Sequence, residues 1–298
     1  ASGLPIIPSP QGRGYLRYLA ALLWGSSLAL LFVIFPQHAF GFHAEISPKT
    51  ISPGDAFLIK VTNAKPPLMP SASLAGKIFP FTDSGDGCFI AIGAVDIKTK
   101  RGTYTLKIKA GQKQRKPKVS VRKTKFPKLK LTLPADKVFL SPDDLDLVKN
   151  ENKRLQSVFQ TVSEKRWNGS FMIPLENDKS TVYGTKRIMN RKFVSIHKGL
   201  DIKGKEGEEI KASNDGRVVL AEVLFYGGNT LILDHGQGLY TIYMHLSGFK
   251  AKPDDIVSKG EVVGFVGSTG RSSGPHLHFG VKVMDINVNP VSLIKLEL

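Results

Sequence analysis

Sulfur is scarce in the 298-residue chain, which has five methionines and a single cysteine, Cys88. One cysteine excludes an internal disulfide framework and a cysteine-rich zinc site. Within "GCFIAIG", Cys88 reads as a small apolar core residue. Acid is also short: 25 Asp and Glu stand against 42 Lys and Arg, a net charge of +17. That imbalance favours an anionic partner, whether nucleic acid, acidic lipid or an acidic polymer. No His-Glu-x-x-His stretch occurs, so a helix carrying two zinc histidines and a glutamate base is excluded. Otherwise the composition is that of a packed protein, 41% hydrophobic and 22% charged, and the length suits two modest domains.

The amino-terminal 41 residues bear on compartment. Arg13 and Arg17 precede an apolar run from Tyr18 to Phe35, followed by Pro36, Gln37 and a small-residue stretch around Ala39 and Gly41. Positive flank, apolar run and small-residue exit describe a signal peptide, with a retained membrane anchor as the alternative. Either way the remainder is expected to be exported to the periplasm or cell envelope. Export argues against nucleic acid and leaves an anionic wall polymer or membrane surface as the partner of the positive charge. A monomer is expected.

The texture from residue 42 onward predicts a mainly β chain. Residues 42–123 carry short apolar runs such as "FLIKV", "CFIAIGAV" and "YTLKIKA", separated by Pro and Gly turns. This pattern predicts an Ig-like β-sandwich in the broad sense. In the last run Tyr104, Leu106 and Ile108 should share one face and Lys107 and Lys109 the other. Residues 124–165 are expected to be a basic linker and helix. Lys109 to Leu131 contains no acid and reads as a solvated linker or edge strand, or as a contact to an anionic surface. Ser141 is then a natural N-cap, Pro142 suits the first helical position, and Asp143 and Asp144 complement the positive helix end. Val148, Leu155, Phe159 and Val162 form an apolar stripe expected to pack on a neighbouring domain. Residues 166–298 return to short, glycine-punctuated strands and hold five of the seven histidines.

Three of these segments carry the residues of interest. "HKGLD" places His197 four residues before Asp201, with Gly199 between them arguing against a helix. "YMHLS" ends an alternating run at His245. "GPHLHFG" puts His276 and His278 two apart in a strand, hence on one face. Each alone is weak, since surface or satisfied core histidines look the same. Together they can supply three zinc ligands, leave a fourth position for water, and keep two histidines for protons and charge. His235 in "LDHG" reads as structural. Tyr243, two residues before His245, should share its face, either as a structural residue or lining the cleft.

Order and spacing of "HKGLD", "YMHLS" and "GPHLHFG" resemble the LytM or lysostaphin-type zinc metallopeptidases, with their H-x-x-x-D, Y-x-H-L and H-x-H motifs. The flanking "YGTKRIMN", "DIKGKEGEEIKASNDGRVV" and "VSKGEVVGFVGSTGRSSGPHLHF" resemble that family too. The resemblance covers roughly 168–292. It implies an all-β peptidase domain and a zinc-dependent endopeptidase that cuts peptide bonds of peptidoglycan stem peptides or crosslinks. It further implies zinc on His197, Asp201 and His278, with His245 and His276 as the catalytic pair. One departure lies upstream: where the family often has two arginines, this chain has Lys186 followed by Arg187. A wall-binding or amidase-activating relative that had lost the metal would lack a ligand, and none is missing here.

Overall fold

Alternation of apolar and polar residues builds the amino-terminal module, as seen in the computed structural model, which describes residues 41–64, 69–132, 140–191 and 193–298. The Tyr18–Phe35 run, expected as a signal or anchor, lies outside the described residues. In the strand Ala56–Thr62, Phe57, Ile59 and Val61 are buried while Lys60 is exposed. Leu106 and Ile108 are likewise buried between exposed Lys107 and Lys109, as the alternation predicts. Two four-stranded sheets and one three-stranded sheet enclose this core. Phe57 and Phe79 meet edge-on at its centre, 6.2 Å between ring centroids.

The basic stretch after this module differs from a plain linker. Lys128–Leu131 runs parallel to Lys186–Met189, which turns back antiparallel as Phe193–Ile196 and leads directly into His197. Leu and Lys have little strand propensity of their own, so the strand rests on its pairing with Lys186–Met189, led in by a backbone bond from Lys186 N–H to Pro127 O at 2.9 Å.

The helix spans Pro142–Gln160, and the Ser141 hydroxyl accepts from Asp144 N–H at 3.1 Å. Its apolar stripe does pack on the carboxy-terminal domain, but ends one turn early. Thr161 is already extended, so Val162 leaves the helix and is about half exposed. Phe159 carries the contact, with Leu155 and Val158, against Leu220, Leu224, Ile232, Tyr240 and Ile242. The Tyr240 hydroxyl reaches Val158 O at 2.9 Å and Thr161 O at 2.6 Å, covering the last turn's carbonyls.

The carboxy-terminal domain is a ten-stranded sheet among the described residues. Its central run is Gly199–Lys203, His276–Val283, Leu239–Phe249, Gly228–Gly236 and Gly216–Leu224, all antiparallel. One apolar cluster continues from Phe42 in the first module to Leu296 in the last turn of the chain. Asn289 fixes that junction, donating its N–H to Gly54 O at 2.7 Å and its side-chain amide to Asp55 Oδ1 at 2.9 Å. Ser292 Oγ accepts from Ala56 N–H at 2.8 Å.

Phe159→Ala should lower the stability of the chain by about 3–5 kcal/mol, the usual cost of emptying a buried aromatic site. Urea unfolding followed by tryptophan fluorescence measures it. A loss below about 1 kcal/mol would mean that the helix is held by other contacts.

Candidate metal centre

Strand register brings the ligand residues together. Asp201 lies directly opposite His278 in the antiparallel pair, and Lys203 opposite His276. Register partners share a face, so Asp201, His278 and, two residues earlier, His276 project together. Gly199 supplies room: a Cβ there would come within 2.6 Å of His278 Nε2. His197 enters from the strand before, pinned by its own N–H to Thr185 O at 2.9 Å and by Gly184 N–H to its carbonyl at 2.8 Å.

His197 Nε2, Asp201 Oδ1 and His278 Nδ1 form a triangle with sides of 2.9, 3.0 and 2.8 Å. His197 and Asp201 are buried and His278 is half-buried. A tetrahedral zinc with bonds of about 2.0–2.2 Å sets its ligand atoms roughly 3.3 Å apart, so this triangle fits such an ion after a slight expansion. The donor set, two imidazoles and one carboxylate, is also that of a borderline cation. His197 Nδ1 donates to Val182 O at 3.1 Å, which leaves Nε2 as the lone pair facing the triangle. Burial alone would raise the Asp201 carboxyl, but hydrogen bonds and charge from His197 and His278 outweigh it and hold it well below the usual carboxylate range. His278 is pushed down, chiefly by burial.

Arg187 completes the carboxylate. Its Nη2 lies 2.8 Å from Asp201 Oδ2, so one oxygen faces the two imidazoles and the other is held by the guanidinium. Sequence reasoning left the Lys186-Arg187 pair without a partner. Alternation along Lys186–Met189 was the available signal, since it sends neighbouring side chains to opposite faces.

The two remaining histidines stand beside the triangle. His276 Nε2 is 3.8 Å from Asp201 Oδ1, and the His245 ring centroid is 4.8 Å from that of His276 and 6.0 Å from that of His278. Both are oriented from behind by main chain: His276 Nδ1 meets Gly274 O at 2.8 Å, and His245 Nδ1 meets Thr269 O at 2.9 Å. These bonds leave Nε2 of each ring as the acceptor. Burial lowers the His245 pKa to about 4, so its neutral form prevails at neutral pH.

His245 reaches the site by a break in the strand. The register partner of His278 is Met244, not His245. His245 adopts a left-handed backbone, φ +66°, and its N–H donates out of the sheet to Gly227 O at 2.7 Å. A non-glycine residue held there costs about 1–3 kcal/mol and persists only where its surroundings enforce it. The break overturns the expectation that Tyr243 shares the face of His245. Tyr243 does not line the cleft but points into the core, fully buried, its hydroxyl accepting from Ser213 N–H at 2.9 Å and its ring packing on Phe279. His235 is structural as expected: fully buried, it bonds Asp215 O and Thr241 Oγ1, both at 2.7 Å.

The stretch that holds all five residues, 195–290, matches the family described as peptidase family M23. This part of the chain is an M23 peptidase domain. Over 98 residues it is 42% identical to a DD-carboxypeptidase/endopeptidase of Neisseria meningitidis serogroup B, a match covering 33% of this chain and 23% of that protein. A glycyl-glycine endopeptidase of Staphylococcus capitis is 42% identical over 85 residues, 28% of this chain and 24% of the relative. The matches thus span about a quarter of the length of these curated relatives. A crystal structure described as a peptidase M23 from Pseudomonas aeruginosa superposes with a TM-score of 0.63 at 27% identity, covering 82% of this chain and 94% of that one. That likeness extends well beyond the M23 domain into the amino-terminal module.

Arg187→Ala should weaken zinc binding about 10- to 100-fold, because an unheld carboxylate reorients. Arg187→Lys should fall between, keeping charge but losing the planar donor. Competition with a chromogenic chelator reads both. Unchanged affinity in Arg187→Ala would show that Asp201 is positioned by its strand alone.

Proposed function

We propose that this chain is a zinc-dependent endopeptidase that hydrolyses peptide bonds of peptidoglycan stem peptides or crosslinks during cell-wall remodelling. The observation that carries this is the 2.8–3.0 Å triangle of His197, Asp201 and His278 with two carbonyl-anchored histidines beside it. The similarity to peptidoglycan DD-endopeptidases of Vibrio cholerae and to a glycyl-glycine endopeptidase supports the substrate class.

His197 Nε2, Asp201 Oδ1 and His278 Nδ1 would hold the ion. Bound zinc polarises a carbonyl and lowers the pKa of a coordinated water from 15.7 toward about 7. The chain's own residues handle the protons. His245, kept neutral by burial, presents Nε2 as an acceptor at neutral pH. His276 stands beside it, 4.8 Å ring to ring, more exposed and next to Asp201, where a proton first taken up at its Nε2 can be passed to a leaving amine or steady developing negative charge. Their Nδ1 bonds to Thr269 O and Gly274 O fix the tautomers, so each ring works through one nitrogen.

We further propose export to the periplasm or cell envelope, with cleavage or retention of the Tyr18–Phe35 segment, and a monomeric enzyme. The net charge of +17 would hold an anionic wall polymer or membrane surface. The first module is read as an Ig-like sandwich in the broad sense, docked against the peptidase domain.

Asp201→Ala and His278→Ala should each lose zinc and turnover together, whereas His245→Ala should keep zinc and lose most turnover. Metal analysis beside initial rates checks this; full zinc occupancy in the two ligand variants sinks the ligand assignment. Incubating the purified chain with peptidoglycan sacculi should release muropeptides, identifiable by mass spectrometry, in a chelator-sensitive way. No release, or release indifferent to chelator, would refute the proposed activity.

A further inference from the structure

His245 depends on a loop that the M23 domain does not hold alone. Its left-handed backbone is fixed by the 2.7 Å bond from its N–H to Gly227 O. Gly227 belongs to the turn Phe225-Tyr226-Gly227-Gly228, which packs backbone to backbone against Thr269 and Gly270, so closely that a Cβ on Gly228 would collide with both. Thr269 in turn supplies the carbonyl that orients the His245 ring, and its hydroxyl accepts from Asn229 N–H at 2.9 Å. Arg271 N–H donates to Tyr226 O at 3.0 Å, and its guanidinium lies over the Tyr226 ring at 5.6 Å. Both bonds to His245, at its main chain and at its ring, therefore come from this pair of interlocked loops.

The first residue of the 225–228 turn is held from the long helix. Both oxygens of Glu151 accept from Phe225 N–H, at 3.0 and 3.1 Å. Glu151 is 8% exposed, on a helix whose other acids lie at the surface or in its first turn. Burying a carboxylate against a single amide donor is costly and is tolerated where the contact fixes something. The helix is rigidly seated here: Phe159 packs on the same sheet face that carries the site, and the Tyr240 hydroxyl covers the helix end. Helix residues 142–160 lie outside the 195–290 stretch matched to the family.

We propose that Glu151 is a positioning residue for His245: it anchors Phe225, sets the 225–228 turn, and so holds the main chain and ring of His245 in register with His276. The helix is then a strut that completes the site rather than a tether between domains. This deepens the proposed peptidase activity and rests on it for the kinetic readout, but not for the spectroscopic one.

The test uses the full chain, with histidines labelled for NMR at Cε1, and compares Glu151→Ala, Glu151→Met and Glu151→Gln. Methionine keeps the volume, cannot accept strongly from the amide, and guards against a folding failure of the alanine variant. Arg154→Ala, which removes an exposed helix-to-sheet ion pair with Glu222, controls for helix docking in general. In Glu151→Ala and Glu151→Met the His245 signal should shift or broaden while that of buried His235 stays fixed. Glu151→Gln should be closer to wild type, and Arg154→Ala identical to it. With peptidoglycan, kcat should fall about 10- to 100-fold in the same two variants, with KM and zinc content little changed, as a misplacement of order 1 Å would produce. An unmoved His245 signal in Glu151→Met overturns the proposal. So does an equal disturbance of His245 in Arg154→Ala. If the wild-type chain proves inactive on peptidoglycan, the activity reading fails by itself, and the His245 signal still decides the role of Glu151.

Discussion

Everything at the site hangs on one register pair, Asp201 facing His278 across two antiparallel strands. With the side-chain period fixed at two, that pairing puts His276 on the same face without further instruction, and a slip of one residue would turn all three toward the core. The pairing is bound on both sides. Leu200, Ile202, Leu277 and Phe279 alternate with the site residues and are fully buried, so the hydrophobic face enforces the register that the polar face uses. The juxtaposition of possible metal ligands is thus a by-product of ordinary sheet packing, trimmed by Gly199 to admit a ring.

Against that regular frame the His245 side of the site is irregular. His245 reaches the cleft only because its strand turns left-handed, and the strain is maintained by two glycine-tight loops and, through Phe225, by a helix from another part of the chain. The division is physically sensible. Asp201 and His278 sit on regular strands and His197 just after one, whereas His245 sits at a break in its strand that changes its direction of approach.

Much of this was legible in the amino acids. "HLH" and "HKGLD" could be read because strand alternation and ligand chemistry are local rules, and Ser141-Pro142 marked the helix start for the same reason. What escaped reading was non-local. Tyr243 was placed on the wrong face because the left-handed backbone at His245 breaks the alternation and is not announced by a glycine. Val162 was included in a helix that ends at Gln160, because the stripe gave no account of the Tyr240 hydroxyl that covers the last turn. An edge strand was among the readings of Lys128–Leu131, but its partner at Lys186–Met189, more than fifty residues on, was not. Glu151 looked like any helix glutamate until Phe225 was beside it.

Carbonyl oxygens orient three of the four histidines at the site: Val182 for His197, Thr269 for His245 and Gly274 for His276. A carbonyl is the same for every residue type, so these partners are specified by the path of the chain and not by what hangs from it. Side chains at 182 and 269 are therefore free to serve other masters, and Thr269 does, spending its hydroxyl on tying two loops together. The tautomers of His245 and His276 are in effect written in loop length and loop shape, so inserting or deleting a residue in the 267–275 loop would disturb the aim of both rings more than most replacements within it.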